Sequence, residues 1–406
     1  MSAAEKLIRY CKVDTQSDPK SGTHPSSSKE FALAEILVEE LKELGLKDAA
    51  CDDKCYVYAH LESNLDHEAP AVGFIAHMDT APDFTGTGVN PRIIENYDGG
   101  DIALNEEIVT RVALFPQMKK LKGKTLLVTD GNTLLGADDK AGIACIMQAL
   151  EEWQKNPSLK HGRICVAFTP DEEIGEGPEY FDFEKMGADF AYTMDGDAVN
   201  IMSDETFNAA SAVVHFRGFS IHPGEAKDRM INAGEIACRF AAALPAEMTP
   251  EHTEGKEGFI HLCSMHGNVE SAELEYILRD HDAKKIQDKK DLMQKVCDLF
   301  NAEYGAGTAE ISFADQYRNM KEVLAKHPEV SEIAWKSIQD LGLVPENVPI
   351  RGGTDGAQLS FHGLPCPNLG NGGGNFHGRY EYCVLEELDL AAKLVQRIAE
   401  RAAGKE

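Results

Sequence analysis

The sequence predicts an α/β fold, a sheet covered by helices on both faces, interrupted by an inserted α+β unit of ferredoxin-like order. Three observations lead there. Short apolar runs alternate with helical patterns over the first half of the chain; from about residue 207 the order becomes strand, helix, two strands, helix, strand; and near residue 320 the first style resumes. A chain of 406 residues, 43% of them apolar, is also long for one hydrophobic core, so two domains are expected. The expected boundaries are 1–206 and 321–406 for the larger domain and 207–320 for the insert, read as a lid over a substrate site.

Element by element, "SSKE" (Ser27 to Glu30) reads as a capping box opening a helix whose apolar residues Phe31, Ala34, Leu37, Leu41 and Leu44 share a face until Gly45 stops it. The runs "CYVYAHL" (55–61), "AVGFIAH" (71–77), "RICVAFT" (163–169) and "DFAYTM" (189–194) read as strands, with a helix over 140–153. In the insert, strands are expected at 209–217, 258–266, 270–279 and 308–316, with helices at 229–243 and 283–304. A helix at 328–341, a strand at 347–350 and a helix at 386–402 complete the chain.

Charge excludes several classes of function. Forty Lys plus Arg against 68 Asp plus Glu leave a net charge of −28, which repels nucleic acid and anionic membrane. The start "MSAAEKLIRYCKVDTQS" has neither the basic region nor the apolar stretch of a secretory signal, and no run has the length of a membrane span. A cytoplasmic protein is the expectation. The ten cysteines are scattered, with Cys51 and Cys55 the one close pair and no CxxC, which points to reduced, buried thiols.

Chemistry gathers where strands end. "GFIAHMDTAPD" puts His77 and Asp79 two apart, on one face of a strand, which suits a ligand and the carboxylate that orients it. "LLGADDKAG" puts Asp138 beside Asp139 in apolar surroundings, costly without a positive partner. "FTPDEEIGEG" offers Glu172 and Glu173, one able to bind metal while its neighbour acts as a base; "TMDGD" offers Asp195 and Asp197; and "GGGNFHG" offers His377 in a loop without the GK[ST] of a phosphate cradle. Singly, each has an ordinary structural reading. Together they form a nitrogen and oxygen donor set suited to zinc or a similar divalent ion, larger than one structural zinc needs. Two metals bridged by a carboxylate fit the inventory better, with Asp139 as the bridge and Asp138 shaping the turn.

The segments HMDTAPD, LLGADDKAG, FTPDEEIG, TMDGD, SIHPGEAK, RGGTDGAQLS, GLPCPNL and NFHG, in this order and spacing, resemble the peptidase T family of tripeptide aminopeptidases, within the co-catalytic dizinc exopeptidase clan. The likeness spans nearly the whole chain, though the loop before Asn375 is richer in glycine than the family's pattern. The resemblance implies two Zn2+ ions, other divalent ions being possible. One would be held by His77, Asp139 and Asp195, the other by Asp139, Glu173 and His377. It further implies Asp79 as the orienting residue, Glu172 as general base, a cis peptide between Asp138 and Asp139, and His222 of "SIHPG" as an oxyanion donor.

A length-measuring exopeptidase needs a fixed cation for the substrate's terminal carboxylate, and Arg279 and Arg351, one from each expected domain, are the candidates. The expected partners are short peptides with a free N-terminus, in a monomer or homodimer. The competing readings are a dizinc deacylase of N-acyl amino acids in the same clan, and a non-catalytic metal-dependent peptide-binding protein.

Overall fold

The computed structural model describes residues 1–404, which divide into two compact units. The first comprises Met1–Asp204, Glu322–Val348 and the chain from Thr354 onward; the second comprises Glu205–Lys321 and Pro349–Gly353. The first unit begins with helices α1 (Ala3–Cys11) and α2 (Glu30–Glu43), strands β1 (Ala50–Cys51), β2 (Val57–Leu61) and β3 (Val72–His77), helix α3 (Ala137–Lys155), and strands β4 (Ile164–Thr169), β5 (Phe190–Thr193) and β6 (Ile201–Ser203). The second unit supplies β7 (Asn208–Arg217), α4 (Ala233–Ala243), β8 (Phe259–Gly267), β9 (Ser271–Asp280), α5 (Ala283–Tyr304) and β10 (Ala309–Tyr317). The chain then returns with α6 (Pro328–Asp340), β11 (Glu346–Asn347), α7 (Asp355–Phe361), β12 (Asn368–Leu369) and α8 (Leu385–Ala402).

The main sheet of the first unit has the order β1-β2-β4-β3-β5-β12-β6-β11. Its central strands are buried on both sides, and their side chains divide by the period of two. Phe74, Val166 and Phe168 join the core under α1, α3 and α8, while Ile75, Cys165 and Ala167 join a separate core with Leu359 of α7 and Met186 of the short helix Phe183–Met186. Each such fully buried side chain contributes about 1.5–3 kcal/mol. Strand β3 runs parallel to β4 and to β5, with His77 level with Thr169 and Ile75 level with Thr193. The three loops that follow these strands therefore leave the sheet along one edge, the place where open α/β sheets collect ligands.

The second unit has an antiparallel sheet of order β8-β9-β7-β10, with the chain sequence β7-α4-β8-β9-α5-β10 of the ferredoxin-like pattern. Val214 and Phe216 of β7 and Leu274 and Leu278 of β9 pack on Phe240 of α4 and Phe300 of α5.

Two sequence expectations need correction. Pro349–Gly353 packs with the second unit and not with the first, because its polar groups are satisfied there: Ile350 N–H donates to Glu205 O, Phe207 N–H donates to Gly352 O, and the Arg351 guanidinium donates to the carbonyls of Gly255 and Glu257. The expected strand at 347–350 is accordingly only β11. At the start of α2, Ser27 does not receive the Glu30 N–H on its hydroxyl; Oγ takes the Lys29 N–H, and Glu30 is fully buried, with Oε2 accepting the Asp171 N–H at 3.2 Å.

Helices α1 and α3 are joined through Glu151, whose carboxylate lies 2.5 Å from Lys6 Nζ, 2.8 Å from Lys155 Nζ and 3.3 Å from the N-terminal ammonium. Burial alone would raise its pKa, but Lys155 and Lys6 hold it at about 2, below the usual 4.5. A carboxyl depressed in the folded state stabilises fully above its unfolded pKa and loses that contribution as pH falls through its folded one. Glu151→Gln should therefore lower the Tm at pH 7, and the gap should close as pH drops from about 4.5 towards about 2. Thermal melts of both proteins across that range would check it; a constant gap would mean that the ion pair is not its source.

Candidate metal centre

His77 closes β3, and its side chain is 2% exposed. Its Nδ1 lies 3.2 Å from Asp79 Oδ1, which fixes the ring, and its Nε2 lies 2.9 Å from Asp138 Oδ1. Asp79 is fully buried and also anchors the loop after β4, since its two carboxylate oxygens accept the N–H groups of Glu172 and Glu173 at 3.0 and 3.2 Å. One carboxylate thus aligns the imidazole of one loop with the acidic turn of the next.

Asp138 and Asp139 sit at the mouth of α3 with non-helical backbone, and their peptide bond is cis. Gly136 supplies the left-handed turn before them, at φ +79°. A Cβ on Gly142 would come within 2.4 Å of Met194 O and 2.5 Å of Asp139 Oδ1, so only glycine permits this approach. The consequence is that the two aspartates face different ways. Asp138 presents Oδ1 to His77 and Oδ2 to Nε2 of His377, 3.4 Å away. Asp139 Oδ1 instead accepts the N–H of Gly142 and the amide of Asn371 at 2.9 Å. The residue placed between the two histidines is Asp138, whereas the sequence reading put Asp139 in that position.

The remaining sequence candidates of the first unit converge here. Glu173 Oε2 is 3.0 Å from His377 Nε2, and Asp195 Oδ1 is 4.0 Å from His77 Nε2. Donor atoms of His77, Asp138 and Glu173 lie within 4.8 Å of one another, as do those of His77, Glu172 and Asp195. The glycine-rich loop carrying His377 is well packed: Gly373 and Gly374 pair with Cys383 and Tyr382, and a Cβ on Gly374 would meet the Tyr382 ring at 2.5 Å.

The three candidates of the second unit have their own local settings. His222 lies in an exposed turn, with Nδ1 accepting the Gly224 N–H at 3.2 Å. Arg279 on β9 donates through Nη1 to the carbonyls of Ala210 and Leu278 and stacks over Tyr317. Arg351 commits both terminal nitrogens, Nη1 to Gly255 and Glu257 and Nη2 to Thr253, and lies over Phe207 and Phe259.

The acidic groups of this site act strongly on one another. Burial, with Asp195 close by, pushes Asp139 well above the usual carboxylate range; burial and Asp138 do the same to Asp195. Glu172 is raised by burial, and Glu173 by burial and Asp138 to about 7. His377 is raised to about 11 by hydrogen bonds to Asp138 and Glu173. His77, despite burial, is raised by Asp138 and Asp79. A carboxylate cluster of this kind is favoured by nearby positive charge. Glu173 Oε1 and Asp139 Oδ2 are buried without a hydrogen-bond partner among the described residues. Carboxylates and imidazoles of this kind are the ligands that divalent metals take, and the residues fit such ions.

Several contributors were invisible in the sequence. Glu381 is fully buried and accepts the N–H groups of Leu135 and Gly136 on Oε2 and of Asp138 on Oε1, at 2.8 to 3.0 Å. It holds the turn that presents Asp138, and burial raises it to about 7 against those same hydrogen bonds. Asn368 accepts the Asp195 N–H and donates to the Asp195 carbonyl, and Asn371 also donates to Met194 O. In "GRYEYCV" the one signal for Glu381 was a charge preceding an apolar run.

With this geometry established, comparison with known proteins decides the lineage. The profile of Peptidase family M20/M25/M40 matches residues 128–401. The chain belongs to this family. Proteins called "Peptidase T" from Clostridium novyi (strain NT) and Lysinibacillus sphaericus (strain C3-41) are 49% and 50% identical to it, over 98% of this chain in both cases and over 98% and 97% of theirs. Among solved structures, an aminopeptidase PepT from Bacillus cereus ATCC 10987 superposes with a TM-score of 0.78 at 23% identity, covering 99% of this chain and 98% of that one. A dinuclear metal-binding M20 peptidase of Bacillus subtilis gives 0.66 at 13% identity, covering 100% and 98%. These two show a shared fold. This M20 chain is a peptidase hydrolase with a metal cofactor, and no helix among its described residues is long and apolar enough to cross a membrane.

Glu381→Ala should lower metal affinity about 10- to 100-fold while all candidate ligands remain in place. Equilibrium dialysis of the chelator-stripped protein would measure it; unchanged affinity would show that the Asp138 turn stands without Glu381.

Proposed function

We propose that this M20 chain is an aminopeptidase that releases the N-terminal residue of tripeptides, and that two zinc ions would be held around Asp138. The observation that carries the reading is one carboxylate turned towards two imidazoles, with an additional carboxyl, Glu172, in the same group of donors. His77, Asp138 and Asp195 would hold one ion, and Asp138, Glu173 and His377 the other. The names of the 49–50% identical relatives support the substrate class. Bound there, the metals would supply Lewis acidity, polarising the scissile carbonyl and acidifying water.

The chain's own residues do the rest. Glu172 accepts the proton of the attacking water on its carboxylate and passes it to the nitrogen of the leaving amine. Its position is set by Asp79, which receives the Glu172 N–H, and its proton affinity is raised by burial. A peptide-binding protein without catalysis has no use for this carboxyl beyond the metal ligands. His222 is proposed as the donor that stabilises the oxyanion, and Arg279 as the cation that reads the substrate's terminal carboxylate. Arg351 is the weaker candidate for that role, since its fork already serves the 253–257 loop.

Glu172→Gln should lower kcat on Ala-Ala-Ala about 10²- to 10⁴-fold and leave the bound metal count unchanged. Elemental analysis alongside kinetics would test both parts; a variant that keeps most of its kcat defeats the assignment. The parent should cleave Ala-Ala-Ala and ignore acetylalanine, lose activity on chelation and regain it with zinc. The reverse preference would identify a deacylase.

Arg279→Ala should raise the KM of a tripeptide while barely changing that of its C-terminal amide. Equal effects on the two substrates would take Arg279 out of carboxylate recognition.

A further inference from the structure

We propose that His24, Asp171 and Glu176 form a third cation site in the first unit, suited to a borderline divalent ion such as Zn2+ or Co2+. The His24 side chain is 5% exposed and that of Asp171 is fully buried, yet neither ring nitrogen of His24 nor Oδ1 of Asp171 has a hydrogen-bond partner among the described residues. His24 Nδ1 lies close to both acids, 3.3 Å from Asp171 Oδ2 and 3.9 Å from Glu176 Oε2, and donor atoms of all three lie within 4.8 Å of one another. Tetrahedral ligation with bonds of about 2.0–2.2 Å places ligand atoms about 3.3–3.6 Å apart; the His24–Asp171 separation matches, and the half-exposed Glu176 has to move in by a few tenths of an ångström.

The surroundings hold the donors in place. The imidazole stacks on Tyr56 at 5.7 Å and packs on Tyr180 at 4.7 Å, and the Ser26 N–H donates to Asp171 Oδ2 at 2.6 Å. A cavity of about 240 Å³, lined by Asp18, Gly22, His24, Glu176, Glu179 and Tyr180, opens onto the site and gives room for water to complete the coordination. Two carboxylates match a charge of +2. One nitrogen and two oxygens suit zinc-like ions better than calcium, which takes six to eight oxygens.

Asp171 and Glu176 are also the two ends of the acidic turn. The Glu176 N–H donates to Asp171 O at 3.0 Å, and the Gly175 N–H to Glu172 O at 2.7 Å. An ion on both side chains would staple the segment that carries Glu172 and Glu173. The site uses none of the residues assigned to the pair of ions at Asp138.

The test is metal stoichiometry on the full chain, stripped with chelator, reloaded with Zn2+ or Co2+, desalted and counted by mass spectrometry. His24→Gln and Glu176→Gln should each carry one ion per chain fewer than the parent. Glu179→Gln, whose carboxylate lines the cavity outside the triad, should keep the parent's count. Glu176 is half exposed, so its replacement leaves the core intact, and a thermal melt of each variant confirms folding. Identical counts in the parent and both triad variants would overturn the proposal. Because the readout is a difference of one, loss of ions at Asp138 would lower all four proteins alike and leave that difference intact.

Discussion

Uncompensated negative charge is the constraint from which the rest of the first unit follows. Asp138, Asp139, Glu172, Glu173 and Asp195 come together at one sheet edge with two imidazoles; burial makes Asp139, Glu172, Glu173 and Asp195 harder to ionise, whereas hydrogen bonds from His377 and His77 outweigh burial at Asp138 and hold it below the usual carboxylate range. The imidazoles of His77 and His377 both approach Asp138. Divalent ions held there would offset the acidic charge. The surrounding structure has to hold these acidic groups together.

That holding falls to carboxylates and amides that are themselves buried. Asp79 commits three acceptor positions to His77, Glu172 and Glu173, and Glu381 commits three to the turn before α3. Asn371 fixes Asp139, and Asn368 fixes the main chain at Asp195. Each of these side chains reaches the loop it supports from a different part of the chain, so the acidic loops are tied to one another through hydrogen bonds to main-chain N–H groups. Such bonds satisfy main-chain donors that would be costly to bury unpaired.

Much of this was legible in the residues alone. Apolar runs ending in His77, Thr169 and Met194 announced strands whose ends carry function, and the βαββαβ order of the insert was readable from where apolar runs and turns fell. The choice between Asp138 and Asp139 was not. Adjacent identical residues have the same chemistry, and which one faces the histidines depends on the backbone torsions at the mouth of α3 and on Asn371 taking Asp139 away. Nor was the membership of Arg351, five residues that cross to the second unit being too few to leave a compositional mark.

The sequence by itself determined which chemical groups exist and which strand or loop carries each, because side-chain periodicity, turn residues and donor type are local properties. Tertiary structure alone decided which carboxylate shares two histidines, and that Glu381 and Asp79 hold the loops. It also brought His24 to Asp171 across more than a hundred residues. Those outcomes depend on close approach between segments far apart in the chain, governed by packing at positions such as Gly142, and no short-range pattern encodes a distance of that kind.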